Sequence, residues 1–151
     1  MKTERRSVIK RLFASMVGLL GANAVLRAES KSATKETFNI TKQDNVPLFS
    51  GSTKYNGLVF VAGKGAHFDG DIKAHTDHVL KELEAELKKA GSSMEKVLKV
   101  NVYLADLGDY KAMNEVYQGR FGSKPPVRTT VATYGGVPGD SLVEMDCIAY
   151  V

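Results

Sequence analysis

The pattern of apolar and β-branched positions along the chain predicts five strands. The internal runs are short and rich in β-branched residues, and the last run alternates strictly, which is typical of a strand with one buried face. The predicted strands are residues 38–40, 58–62, 97–104, 127–131 and 142–151. Residues 47–57 are rich in turn-forming residues and are predicted to form a loop, with Asn56-Gly57 as its sharpest turn.

Two further stretches repeat apolar residues at helical spacing and predict amphipathic helices. The first runs from a cap at Asp71 or Thr76 to about Ala90, and the second covers about residues 107–121. The apolar stripe of the first helix is Thr76, Val79, Leu80, Leu83 and Leu87. The stripe of the second is Tyr110, Met113, Val116, Tyr117 and Phe121.

The order of these elements defines the expected fold class. Strand, strand, helix, strand, helix, strand and strand follow one another without an internal repeat. Two amphipathic helices packed on one face of a mixed β-sheet give an α+β fold. Residues 38–151 are therefore predicted to form one domain, which is long enough to bury a core.

The first 28 residues have the layout of an export signal. Arg5-Arg6 precede Val8-Ile9 and Lys10, which resembles the twin-arginine motif, and the apolar run over residues 12–25 is short for a membrane span. We expect residues 1–28 to be a cleaved twin-arginine signal and residues 29–37 a polar linker. The expected location is the periplasm, without membrane attachment after cleavage; the alternatives are an uncleaved anchor and an ordinary Sec signal.

The charge of the chain is concentrated in this leader. Residues 1–28 carry six Lys or Arg and one Glu, a net charge of +5, so the rest of the chain carries −1 of the total +4. A nucleic-acid site needs a basic patch on the folded part, and none is expected here. The single cysteine, Cys147, has no partner for an internal disulfide and is predicted to be a buried apolar residue.

Arg128 is the first candidate for chemistry. It follows Pro125-Pro126 near the start of a predicted strand, where a planar guanidinium suits bidentate capture of a carboxylate. Glu144 is the polar position of the last strand, and the glycine-rich residues 134–140 predict a hairpin that brings it beside Arg128. A guanidinium for a substrate carboxylate and a carboxylate that deprotonates water would serve a hydrolysis. The alternative is a structural salt bridge.

Metal and cofactor sites are not expected. His75 and His78 are three apart near His67, but no third ligand is fixed by spacing, so two solvated histidines on a polar helix face are the simpler interpretation. Gly63, Gly65 and neighbouring glycines do not match a phosphate-binding loop.

Several runs of the chain together resemble the RidA (YjgF) family of reactive intermediate deaminases. The matching pieces are residues 58–63, 70–72, 87–91, 97–104, 113–117, 126–131, 142–144 and 148–149. The resemblance implies a chorismate-mutase-like fold and a homotrimer with sites in the clefts between subunits. It also implies hydrolysis of 2-imino or 2-enamino acids to 2-keto acids and ammonia, without metal or cofactor.

The resemblance also assigns roles to individual residues. Arg128 matches the arginine that binds the substrate carboxylate, Glu144 the acidic residue near the attacking water, and Asn114 the asparagine of the second helix. The remaining positions expected to bind substrate are Phe49, Ser50, Lys64 and Thr130.

This chain departs from the family pattern at some of these positions. The usual tyrosine is Phe49, the usual Ser-Gly-Gln is Ala62-Gly63-Lys64, and a frequent cysteine is Thr130. Loss of a phenol and a hydroxyl removes two hydrogen-bonding groups from the expected pocket. Two alternatives to an imine deaminase therefore stay open: a non-catalytic trimer that binds small carboxylates or a partner, and an endoribonuclease.

Overall fold

The computed structural model describes residues 33–151, which form a six-stranded sheet with two α-helices. The strands and helices in chain order are β1 Glu36–Gln43, β2 Val46–Tyr55, β3 Leu58–Gly65, α1 Ile72–Lys89, β4 Val97–Leu104, α2 Tyr110–Tyr117, β5 Val127–Ala132 and β6 Val143–Tyr150. The predicted signal, residues 1–28, lies outside the described residues. No helix in the described part is long and apolar enough to cross a membrane.

The sheet order is β1-β2-β3-β6-β4-β5, and only the β4–β5 pair is parallel. The predicted α+β class, with a mixed sheet and two helices on one face, is confirmed. The predicted hairpin between β5 and β6 is wrong. α2 crosses over between β4 and β5 and returns the chain parallel to β4. β6 then enters the sheet on the other side of β4, so β4 separates β5 from β6.

The predicted loop at residues 47–57 is also wrong, because most of it is strand β2. Asp44 and Asn45, both with positive φ, turn β1 into β2, and Asn56-Gly57, with φ of 50° and 79°, turns β2 into β3. Positive φ at both central positions is the geometry of tight hairpin turns. The turn signals of this region therefore bound a strand and do not interrupt it.

The core lies between the sheet and the two helices. The predicted stripe of α1 is confirmed: Thr76, Val79, Leu80, Leu83 and Leu87 are all fully buried. The alternation of β6 is confirmed as well, since Val143, Met145, Cys147 and Ala149 are buried under the helices. The opposite face of the sheet has no helix on it in the described part, and we call it the open face.

The ends of the helices follow their capping residues. Asp71 caps α1, with its side chain accepting a hydrogen bond from the backbone N–H of Ala74 at 2.8 Å. α2 is shorter than predicted at both ends. Residues 107–109 form a 3₁₀ turn whose Asp106 cap accepts from Gly108, and Gly119 follows with φ of 80°, a conformation outside the helical range.

A buried carboxylate joins α1 to the first three strands. Glu86 is 3% exposed. It accepts hydrogen bonds from Asn39 at 2.6 Å and Ser52 at 2.8 Å, and Lys64 Nζ lies 3.4 Å away. Burial by itself raises the pKa of Glu86, but the hydrogen bonds from Ser52 and Asn39 and the charge of Lys64 outweigh it, so the pKa lies below its ordinary value of 4.5. Glu86 is therefore a charged anchor for the β1–β2 hairpin.

Replacing Glu86 tests this anchor. A lowered folded pKa means that the stabilisation is complete above the unfolded pKa and is lost as the pH falls through the folded value. Glu86→Gln is expected to lower the free energy of unfolding at neutral pH by about 1.5–3 kcal/mol, the worth of hydrogen bonds to a charged group. It should also flatten the acid limb of the stability profile. Urea denaturation between neutral pH and about pH 4 measures both effects, with the exposed Glu82→Gln on the same helix as control. Equal profiles for the two variants would contradict the anchor.

Candidate functional site

The Arg128 guanidinium is held in place by side chains of α2. Nη1 donates to Asn114 Oδ1 at 2.8 Å and Nη2 to the Tyr110 hydroxyl at 3.1 Å. Cζ lies 4.6 Å from the ring centroid of Tyr117 and 5.6 Å from that of Tyr110. An arginine has five N–H donors, so the group keeps donors for a ligand. A planar fork fixed in this way is suited to a carboxylate.

The sequence did not identify Tyr110 and Tyr117 as site residues, because both fit the apolar stripe of α2. A signal was nevertheless present. Tyr110, Asn114 and Tyr117 are spaced i, i+4 and i+7, so their polar atoms share one face of the helix. The predicted site residue Asn114 therefore lies beside Arg128, between two tyrosines that orient the same guanidinium.

Two hydroxyl groups on the helix side of the sheet have no hydrogen-bond partner among the described residues. They are Tyr117 OH and Thr130 Oγ1, both buried. Burial raises the pKa of Tyr117 to about 12, against the lowering effect of the Arg128 charge. Thr130 lies two residues after Arg128 on the same face of β5. Buried hydroxyls normally find a partner, so this region has unused hydrogen-bonding capacity.

Glu144 lies at the start of β6, on the open face, opposite Tyr103 of β4 and Gly65 of β3. The register of β3 shifts between Val61 and Lys64, and Gly63 lies in this irregularity. A β-carbon added to Gly63 would overlap Oε1 of Glu144. Position 63 must therefore lack a side chain for the Glu144 carboxylate to lie where it does.

A cleft of about 270 Å³ opens around Glu144, and we call it the Glu144 cleft. Its polar lining includes Tyr103, Glu144 and Asp146. Asp146 accepts hydrogen bonds from Asn101 at 2.8 Å and from the Tyr103 hydroxyl at 3.0 Å. The bond to Asp146, with burial, raises the pKa of Tyr103. The Glu144 side chain accepts no hydrogen bond from the described part of the chain, so of the two carboxylates it is the one free to bind water.

Arg128 and Glu144 are not brought together within one chain. Arg128 pairs with Val100, whose side chain is buried under the helices, whereas Glu144 pairs with Tyr103 on the open face. Side chains alternate between the faces of a sheet, so the two groups lie on opposite faces. The structure thus contains two half-sites, one on each face.

The remaining predicted substrate-binding residues lie on the first strands of the sheet. Lys64 points to the helix side, where its Nζ lies 3.4 Å from Oε2 of the buried Glu86. Phe49 is 54% exposed and Ser50 is half-buried, both on β2. None of the hydrogen bonds in the described part of the chain joins Phe49 or Ser50 to Arg128. Their role in substrate binding stays a prediction from the resemblance.

The histidines have structural surroundings. His75 is buried, its Nε2–H donating to the Phe68 carbonyl at 2.8 Å while Nδ1 accepts from the Leu142 amide at 3.1 Å. The interpretation of His75 as a solvated residue is wrong, because it bridges α1 to the start of β6. His78 packs edge-on against Phe68. Within residues 33–151, no three His, Cys, Asp or Glu side chains are grouped so as to hold a metal ion.

Comparison with known proteins identifies the family. Residues 42–151 match the family described as Endoribonuclease L-PSP. A RutC family protein of Pyrococcus abyssi is 41% identical over 109 residues, covering 68% of this chain and 85% of that protein. The chloroplastic Reactive Intermediate Deaminase A of Arabidopsis thaliana is 31% identical over 134 residues, covering 83% of this chain and 71% of that protein.

A solved structure agrees with these sequence matches. A member of the YjgF protein family from Neisseria meningitidis superimposes with a TM-score of 0.70 at 27% identity, covering 79% of this chain and 96% of that one. The strand order, the two helices and the matched residues point to the same conclusion: the chain belongs to the RidA/YjgF (L-PSP) family.

Proposed function

We propose that this protein hydrolyses 2-imino or 2-enamino acids to 2-keto acids and ammonia. The observation that carries the proposal is the Arg128 guanidinium, which is fixed by Asn114, Tyr110 and Tyr117 and keeps free donors. Such a fork binds the carboxylate that every 2-imino acid carries. The family membership and the deaminase name of the Arabidopsis relative support the same reaction class.

The chemistry needs a carboxylate anchor and a base for water. In the proposed mechanism Glu144 accepts a proton from a water molecule, whose oxygen then attacks C2 of the imine. Glu144 returns this proton to the nitrogen, which completes a carbinolamine. The hydroxyl proton of the carbinolamine then moves to the nitrogen, which leaves as ammonia while a carbonyl forms at C2. One water is consumed for each ammonia released, so the reaction balances with the residues present.

The two half-sites require a second copy of the chain. Because Arg128 and Glu144 lie on opposite faces of one sheet, we propose that Glu144 of one subunit meets Arg128 of its neighbour in a homotrimer. The open face favours such an assembly, since Leu58, Phe60 and Tyr150 there are between 37% and 44% exposed. β5, with exposed Val127 and Val131, forms a free edge of the sheet. Exposed apolar surface of this extent favours association.

A second candidate is a binding module with the same cleft and no turnover. It is favoured by Phe49 and Ala62, which lack the phenol and hydroxyl of the family pattern. An endoribonuclease has less support. The net charge of −1 beyond the leader does not favour the binding of a polyanion such as RNA. In addition, none of the hydrogen bonds that the described histidines make involves Arg128.

For the leader, we propose export through the twin-arginine route, which accepts folded cargo. Support comes from Arg5-Arg6 ahead of the apolar run and from the absence of a possible internal disulfide in a chain with one cysteine.

The reaction is tested with imines made by an amino-acid oxidase, following keto-acid release with and without the protein. Arg128→Ala is expected to lower kcat/KM about 10- to 100-fold, the worth of a charged bidentate pair. Arg128→Lys should rescue poorly, because an ammonium cannot form that pair. Glu144→Gln should keep 2-keto acid binding and lower kcat about 100-fold or more.

Arg120→Ala is the matched control, because Arg120 is also partly exposed but pairs with Asp77. It should leave turnover unchanged. Absence of turnover in the parent, with keto-acid binding that still depends on Arg128, would decide for the binding module. Keto-acid binding that is unchanged in Arg128→Ala would show that another residue binds the substrate carboxylate.

Assembly is tested by sedimentation of the mature chain at micromolar concentration. The parent should sediment at three times the mass of one chain. Val131→Asp places a charge on the proposed interface and is expected to shift the population to monomer, because a buried unpaired charge is costly. Ala85→Asp, on the exposed side of α1, should leave the trimer intact. A monomeric parent would rule out the shared site.

Export is tested by changing Arg5 and Arg6 to Lys in the full-length chain. The precursor is expected to accumulate in the cytoplasm, since the twin-arginine route depends on the arginine pair. Cell fractionation with immunoblotting measures the distribution, and Arg11→Lys is the control that keeps the pair. Undiminished delivery of the double variant to the periplasm would contradict the assignment.

A further inference from the structure

Tyr134 stands at the rim of the Glu144 cleft with its side chain in solvent. Its relative exposure is 108%, and the next most exposed large apolar side chain in the described part, that of Val127, reaches 66%. Its sequence neighbours Thr133 and Gly136 both line the cleft. A fully exposed aromatic ring does not stabilise the fold, since apolar surface that stays in water contributes no free energy of burial. Its position next to the cleft calls for another explanation.

The turn that carries Tyr134 is firmly built. Thr133 N donates to the Leu104 carbonyl at 2.9 Å, and Thr133 Oγ1 donates to the Gly136 carbonyl at 2.9 Å. Gly135 and Gly136 have φ of 85° and 91°, which side chains rarely adopt. The backbone at Tyr134 is therefore fixed relative to the cleft, while its ring, which meets no protein surface, is free to rotate toward the opening.

The Glu144 cleft has two chemically different sides. Tyr103, Glu144 and Asp146 form a polar side, whereas Val137 and Pro138 form an apolar side that is continuous in sequence with the Tyr134 turn. The volume of about 270 Å³ is close to the lower end of ligand pockets in general, about 300 Å³. A small ligand would place its reacting centre against the polar side and a nonpolar substituent against the apolar side.

We propose that Tyr134 is a specificity-determining residue that covers the side chain of the bound substrate. The ring would pack over an apolar or aromatic substituent lying against Val137 and Pro138, in offset or edge-to-face geometry for an aromatic one. The preferred substrates are then 2-imino acids with bulky nonpolar side chains. This inference rests on the proposed function, since it places the substrate beside Glu144.

The test compares imines made by an oxidase from alanine and from phenylalanine. Tyr134→Ala is expected to lower kcat/KM for the phenylalanine-derived imine about tenfold and to leave the alanine-derived one unchanged. Tyr134→Phe, which keeps the ring, should behave as the parent with both. Leu107→Ala is the matched control, because Leu107 is also exposed but lies in the 3₁₀ turn before α2 and does not line the cleft. It should change neither rate.

Equal losses with both imines, or no loss with either, would overturn the role of Tyr134 and leave the proposed reaction standing. Sedimentation of Tyr134→Ala should match the parent; dissociation would show that the ring belongs to a subunit interface and would also overturn the inference. If the parent turns over no imine, pyruvate and phenylpyruvate serve as binding probes. Weaker binding of phenylpyruvate alone by Tyr134→Ala supports the inference although the catalytic proposal fails. A parent that binds neither probe overturns both.

Discussion

The alternation of side chains between the two faces of the sheet governs where chemistry is possible in this fold. Arg128 of β5 is the cross-strand neighbour of Val100 of β4 on the helix side of the sheet. Glu144 of β6 is the cross-strand neighbour of Tyr103 of β4 on the open face. Because the period is two, only a register slip could move either group to the other face, and a slip of β6 would expose its buried residues. The separation is therefore fixed by the same alternation that buries Val143 and Met145. The proposed reaction uses both groups and therefore needs a second copy of the chain.

Each half-site is positioned by a different kind of contact. On the helix side, Asn114 and Tyr110 orient the Arg128 guanidinium by hydrogen bonds, and the ring of Tyr117 packs against it. These contacts all come from one short helix, so the position of the guanidinium depends on α2. On the open face, Glu144 is positioned sterically, by the space that Gly63 leaves in β3. Preorganisation of this kind reduces the side-chain entropy that the protein loses when a ligand or water binds.

The extent to which the sequence could predict the structure depended on how local each signal was. The stripe of α1 and the alternation of β6 are local patterns, and both predict the buried residues correctly. The prediction of a β5–β6 hairpin was wrong because strands that follow one another in the chain need not be neighbours in the sheet. Here β4 lies between the two strands. The ion pair between Lys64 and Glu86 was not predicted, because Glu86 lies 22 residues away on α1 and no sequence pattern marks a buried carboxylate on a helix.

The two carboxylates of the Glu144 cleft show how neighbouring groups of the same type can be assigned different roles. Asp146 accepts hydrogen bonds from Asn101 and Tyr103, so its oxygens are occupied. Glu144 lies two residues away on the same face and accepts no side-chain hydrogen bond within the described residues, so its oxygens are open to the cleft. Of the two carboxylates, Glu144 is therefore the one to which the proposed reaction assigns the water, and Asp146 holds Tyr103 and Asn101 in place beside it.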